Sequence, residues 1–157
     1  MVVGNAIKIR LATDLDRESI SRIYNDVRRK QFPWINPDSI EPDDLARDSE
    51  GEEIHVAVKG DTVLGFLSVW IPESFIHHLY LAPEFQHRGI GAKLLRFASE
   101  TYPLPLRLKC VKQNQMALKF YLKNGWRVVQ EGISDGNGYF LMELKTPNHS
   151  LENICQP

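Results

Sequence analysis

The chain has 157 residues, 43% hydrophobic and 25% charged, with a net charge of −1. That length predicts one domain, able to bury a core of its own without disulfide staples. The near-neutral balance excludes a strong field for nucleic acid or an anionic membrane, and no apolar stretch approaches the roughly 18 residues of a membrane span.

The N-terminal "MVVGNAIKIRLATD" has no long apolar run and turns charged at Lys8 and Arg10, so it does not read as a signal peptide. Within it, "AIKIRLA" alternates, with Ile7, Ile9 and Leu11 on one face, which predicts a strand. Thr13 and Asp14 are polar cap candidates for a helix carrying Ile20, Ile23, Tyr24 and Val27 on one apolar stripe. "KQFPWINPDSIEP" has three prolines and reads as a loop, with a short helix around Asp43–Asp48. "IHVAV" and "TVLGFLSVWI", joined through Gly60-Asp61, predict a hairpin, and "FIHHLYL" a further strand. A helix over 89–101 follows, with Ile90, Leu94, Phe97 and Ala98 on one stripe. "LPLRLKC" is the next strand. "NQMALKFYLKN" reads as a helix capped by Asn114 and stopped at Asn124-Gly125. "WRVVQE" and "YFLMELK" close the chain as strands, with "GISDGNG" as their connection, before a polar tail at 146–157.

The two cysteines, Cys110 and Cys155, form no framework and no C-x-x-C pair, and read as free thiols of a cytoplasmic protein. Asn148-His149-Ser150 matches a glycosylation sequon, which carries no meaning without secretion.

The informative junction is "EFQHRGIGAK". A strand feeding a glycine-rich turn and then a helix presents unpaired N–H groups and the positive end of a helix dipole, which suits an anion. A P-loop needs Lys followed by Ser or Thr, but Leu94 follows Lys93. The dinucleotide fingerprint needs a third glycine where Leu94 stands. What does match, in full, is Q/R-x-x-G-x-G/A at Gln86-His87-Arg88-Gly89-Ile90-Gly91.

Together with "NQMALKFYLKNGWRVV" about 25 residues on, this segment resembles the GNAT superfamily of N-acetyltransferases. The resemblance runs from the first strand to about residue 144. It implies an α/β (α+β) fold with a mixed, mostly antiparallel sheet of about seven strands and about four helices, in the order βααβββαβαββ, within one domain over 1–145. It also implies acetyl-coenzyme A as co-substrate, with its pyrophosphate on the amides of His87, Arg88, Gly89, Ile90, Gly91 and Ala92, and Gln86 also among the coenzyme-binding residues. Leu79, Tyr80 and Leu81 would hold the pantetheine arm and thioester through their backbones, so that side-chain identity should matter little there. Asn114 and Ala117 would meet the same arm.

Acetyl transfer to an amine needs a neutral amine, close alignment, stabilisation of the carbonyl oxygen and a proton for the leaving thiolate. Tyr121 occupies the position of the family's general acid; helix spacing alone makes it a packed aromatic above Ala117. For the base, Glu73, His77, His78 and Glu84 are candidates. His77 and His78, adjacent in a strand, are expected on opposite faces, which disfavours a shared metal, and His78 is preferred. The acceptor is expected between residues 24–40 and the hairpin 131–139, with Phe32 and Trp34 as walls and Arg28 or Arg29 available to a carboxylate. The reading is direct transfer to a primary amine of a small molecule or peptide terminus, by a monomer or homodimer with no nucleic acid or membrane partner and no metal. A non-catalytic acyl-coenzyme A sensor and a different acyl donor are the alternatives.

Overall fold

Seven strands form one sheet in the computed structural model, which describes residues 6–147. They are β1 (Ile7–Leu11), β2 (Glu53–Lys59), β3 (Thr62–Trp70), β4 (Phe75–Leu81), β5 (Leu106–Val111), β6 (Arg127–Ser134) and β7 (Asn137–Leu144). The helices are α1 (Arg17–Gln31), α2 (Asp44–Asp48), α3 (Ile90–Thr101) and α4 (Gln115–Lys123). The sheet order is β1-β2-β3-β4-β5-β7-β6, antiparallel throughout except between β4 and β5. The polar tail after residue 147, with the sequon and Cys155, lies outside the described residues.

Helices cover both faces, and the stripes read from the sequence decide which. Ile20, Ile23, Tyr24 and Val27 of α1 are buried with Leu45 of α2 against Val56, Val58 and Phe66. On the opposite face, Ile90, Leu94, Leu95 and Ala98 of α3 pack on Leu67, Val69, Ile76, Leu106 and Leu108. Alternation along β4 splits its side chains between the two: Leu79 and Leu81 join the α3 face, Tyr80 the α1 face. Leu11 shares the face of Ile7 and Ile9 but stays 55% exposed, since β1 is an edge strand.

The last hairpin differs from the expected one. Residues 132–134 and 137–138 belong to the strands, and the turn is only Asp135-Gly136, both at positive φ (51° and 79°). This is the backbone that a two-residue hairpin requires. Gly132 reads as loop but faces Tyr139 across the ladder, where a Cβ would come within 2.5 Å of its ring. The glycine makes room for an aromatic neighbour rather than breaking the strand.

Helices α1 and α2 are tied by a buried carboxylate. Asp44, 4% exposed, accepts from Arg28 at 2.9 Å, from Arg47, and from the Glu41 amide at 3.0 Å. Burial alone would raise its pKa, but the amide and the two guanidiniums hold it below the usual carboxylate value. Removing one partner of such a pair strands the other charge, so Asp44→Ala should cost about 3–5 kcal/mol in urea unfolding. A loss under about 1 kcal/mol would mean that the pair behaves like an exposed one.

Candidate active site

The glycine turn presents a row of open donors. His87 (φ 63°) and Gly89 (φ 82°) are left-handed, with Gly89 capping α3. Among the described residues, the amides of 87–92 have no acceptor, whereas the Lys93 amide already donates to the Gly89 carbonyl at 3.2 Å. A Cβ on Gly89 would meet nothing within 4 Å, so the space before these amides is clear. An anionic pyrophosphate fits such a concave row. Gly91 serves another purpose: its Cβ would lie 3.0 Å from Phe120, so it is the α3–α4 contact that requires glycine here. Gln86 turns inward, donating to the Leu81 carbonyl at 3.1 Å and pairing reciprocally with Gln31 of α1. Arg88 stays exposed, its guanidinium 5.8 Å from the centre of the Phe85 ring. Ile90 is a core residue and Ala92 is half-buried.

Beside this turn the sheet opens. The β4–β5 ladder has two residue pairs, Phe75 with Arg107 and Ile76 with Leu108. Beyond them β4 is paired with β3 alone. The Ala82 amide donates to Leu64, so by antiparallel alternation Tyr80 and His78 also turn their backbones to β3. Leu79 and Leu81 then face the gap, and of the three residues expected to act through their backbones it is these two that can. Tyr80 instead contributes its ring, 5.6 Å from Phe66, 5.0 Å from Tyr24 and 5.8 Å from Phe32, so its side chain does matter.

Tyr121 of α4 reaches the same gap. It packs against the core of the α3 face, which holds Cys110 of β5 and on which Leu79 and Leu81 of β4 also rest; burial pushes its hydroxyl pKa up, and Cys110 and Tyr80 add to the shift. The ring rests on Trp126 at 5.9 Å, and among the described residues its hydroxyl has no hydrogen-bond partner. Asn114 caps α4, its Oδ1 accepting from the Ala117 amide at 3.1 Å, which leaves its Nδ2 able to donate elsewhere. Cys110 is buried, free and pushed up to about 11 by desolvation, which leaves it a poor nucleophile.

His77 and His78 do not take opposite faces. Ser68 pairs with His78 and Val69 with Ile76, so His77 is an extra residue in β4. This bulge turns both imidazoles toward one carboxylate that the sequence reading did not single out, Glu52. Glu52 Oε2 meets His77 Nδ1, and Oε1 accepts from Ser68 Oγ at 2.7 Å. Ser68 Oγ in turn lies 2.6 Å from His78 Nδ1. The Glu52 side chain is only 3% exposed, and desolvation opposes its charge, yet the His78 imidazole 3.7 Å away and hydrogen bonds from His77 and Ser68 lower its pKa to about 2. No local motif flags Glu52, which precedes β2 and meets β4 only through sheet register.

The flanks of the site are aromatic. Phe32 and Trp34 stack at 4.7 Å, and Phe32 meets Tyr80, so the expected pair forms a wall continuous with Tyr24 and His78. Arg28 is held by Asp44 and lies over the Tyr24 ring at 4.5 Å, so it is not available to a substrate carboxylate; Arg29 is exposed. A cavity of about 340 Å³ opens at the foot of the cleft, lined by Glu73, Phe75, Ile76, His77 and Lys109. Lys109 lies 4.7 Å from the Tyr139 ring, linking this cavity to the late hairpin. Glu84 lines a different cavity at the other end of β4, with Asp26 and Asp61, and is not brought to the histidines.

A strand pair splayed beside a glycine-rich helix entrance marks a mixed α/β sheet opened along one edge of β4. Residues 18–126 match the family model "Acetyltransferase (GNAT) family", and the chain belongs to that family. Among curated relatives it is similar to spermidine N(1)-acetyltransferase of Thermoplasma acidophilum, 35% identical over 95 residues, which are 57% of this chain and 56% of that one. It is also similar to the peptidyl-lysine N-acetyltransferase YiaC of Escherichia coli K12, 33% identical over 67 residues, 43% of this chain and 44% of that one. The chain thus matches about half the length of these relatives. In fold it resembles the solution structure of apo-form YjaB from Escherichia coli (TM-score 0.76, 22% identity, 90% of this chain and 99% of that one). The structure of yncA from Salmonella typhimurium with its cofactor acetyl-CoA is also similar (TM-score 0.67, 21% identity, 93% and 97%).

Because the pKa of Glu52 is lower in the folded than in the unfolded chain, its stabilisation is fully present above the ordinary carboxylate range. That stabilisation is lost as pH falls through this range toward about 2. Urea midpoints recorded from pH 6 to pH 2 should therefore drop for the wild type and drop less for Glu52→Gln. Parallel curves would mean that the carboxylate is not selectively stabilised in the fold.

Proposed function

We propose that the protein transfers the acetyl group of acetyl-coenzyme A directly to a primary amine. The observation that carries this reading is the parting of β4 from β5 after Ile76 and Leu108, beside which Tyr121 packs on the same core as Leu79, Leu81 and Cys110, its hydroxyl without a partner among the described residues. The open amides of 87–92 lie beside the same gap. On this reading those amides hold the pyrophosphate, and the main-chain groups of Leu79 and Leu81 align the pantetheine arm and carbonyl. The Asn114 Nδ2 donates to the same arm.

Acetyl-coenzyme A supplies an acetyl thioester, whose carbonyl carbon is the electrophile. His78 takes one proton from the substrate ammonium and so frees a nitrogen lone pair. As the C–N bond forms and the C–S bond breaks, the sulfur carries away the C–S electron pair and takes the phenolic proton of Tyr121. The nitrogen gives up its second proton to the Tyr121 oxygen, which restores the phenol. The products are the acetamide and the free thiol, and His78 returns its proton to solvent. The raised pKa of Tyr121 keeps the phenol protonated at neutral pH, as an acid must be.

The acceptor is assigned to the cavity lined by Glu73, Phe75, His77 and Lys109, on the sheet face of α1. A carboxylate and an aromatic ring at its wall suit an aliphatic ammonium group. The two curated relatives, a spermidine and a peptidyl-lysine acetyltransferase, support that class.

Calorimetric titration with acetyl-coenzyme A should give saturable binding that Gly89→Asp abolishes. That variant sets a carboxylate before the amides, at a φ that Asp tolerates. With spermidine or a lysyl peptide as acceptor, Tyr121→Phe should lower kcat by about 10²- to 10⁴-fold with little change in the KM for acetyl-coenzyme A. Undiminished kcat in Tyr121→Phe would remove the phenol from the chemistry. No binding up to millimolar acetyl-coenzyme A by the folded protein would sink the whole reading.

A further inference from the structure

We infer that Glu52 and Ser68 are positioning residues of this reaction, which hold His78 with its proton on Nδ1 and its lone pair on Nε2. The inference rests on reading His78 as the base. It follows from counting donors. The Glu52 carboxylate can only accept, so the bond at 2.7 Å uses the single hydroxyl proton of Ser68. Ser68 Oγ can then only accept from His78 Nδ1 at 2.6 Å, which must carry a proton. A neutral His78 is left with one basic atom, Nε2, the nitrogen turned away from the carboxylate. The order is His78, Ser68, Glu52, with each bond fixing the direction of the next.

Burial makes the arrangement selective. Ser68 is fully buried, the Glu52 side chain is 3% exposed and that of His78 is 11% exposed, so water does not offer His78 Nδ1 an easy alternative partner. A carboxylate oxygen 3.7 Å from His78 Nδ1 also stabilises the imidazolium that forms when the ring takes a proton. The other groups around the ring are Tyr24 of α1 at 5.1 Å, Tyr80 at 5.8 Å and His77 at 6.1 Å. Tyr24 gives its hydroxyl proton to Asp48, and Arg28 lies over its ring while paired with Asp44. Both tyrosines are held neutral by burial, so Glu52 and His77 are the neighbours whose charge bears most directly on His78. His77, 41% exposed, caps the second oxygen of Glu52 and keeps that oxygen from rotating toward the ring.

The experiment has two arms. Nitrogen-15 NMR of histidine-labelled wild type, with His78 assigned by the loss of its signals in His78→Asn, reads the tautomer directly. Nδ1 should appear protonated and Nε2 unprotonated above the titration of the ring; an Nε2–H tautomer overturns the inference whatever the variants do. In the second arm, kcat/KM against pH is measured with spermidine or a lysyl peptide. Glu52→Gln should lower kcat by at least about tenfold and move the acidic limb to lower pH, because the base then stands without the carboxylate 3.7 Å away. The KM for acetyl-coenzyme A should stay within about twofold, which a general loss of structure would not produce. Ser68→Ala keeps the charge while cutting the link, so it should lower kcat and mix the two tautomers even if Glu52→Gln fails to fold. If His78→Asn abolishes activity but Glu52→Gln and Ser68→Ala keep the wild-type rate and limb, His78 stands as the base and the positioning role falls. If His78→Asn itself keeps both, the base assignment falls and this inference with it.

Discussion

One extra residue in β4 controls most of what the site can do. The two strands β4 and β5 stay paired up to Ile76 and Leu108, and the very next residue, His77, is the bulge. A bulge bends its strand and sharpens the local twist. Here it falls where the parallel pairing of β4 with β5, the only one among the described residues, ends, so β4 continues along β3 while β5 diverges. The same insertion places two successive imidazoles on one face of the sheet, against Glu52. An opened cleft and a polar cluster at its foot thus share a single backbone cause.

The cleft is stable because its exposed edges are few and its walls are packed. Leu79 and Leu81 turn side chains into the α3 core while their backbones face the gap. Gly91 lets Phe120 close the contact between α3 and α4, and the Phe120 ring in turn packs on Tyr121. On the other face, Tyr24 bridges α1 to α2 through Asp48, and its ring packs on Tyr80 and His78. The two hydrophobic cores therefore meet at β4, whose alternate side chains serve opposite faces of the sheet.

Much of this was legible from local pattern. The apolar stripes of α1 and α3, the Asn114 cap, the Gly125 stop and the glycine turn obey short-range rules that act within one or two turns of chain. Other features were not. Gly132 reads as a loop residue because the ring it accommodates comes from the partner strand. Gly91 reads as a phosphate-facing glycine because Phe120 is 29 positions away in sequence and adjacent only after α4 folds back. Arg28 reads as a free cation because its anion arrives with α2.

The sequence by itself determined the family, the order of elements and the residues of the glycine turn, because those depend on spacing within continuous segments. Tertiary structure alone decided that Glu52, Ser68 and the two histidines meet. Residues 52, 68 and 78 come from three different strands or their ends, and no spacing along the chain relates them. Their meeting depends on sheet register, and a single inserted residue shifts that register by one step, which is enough to move a side chain from one face to the other.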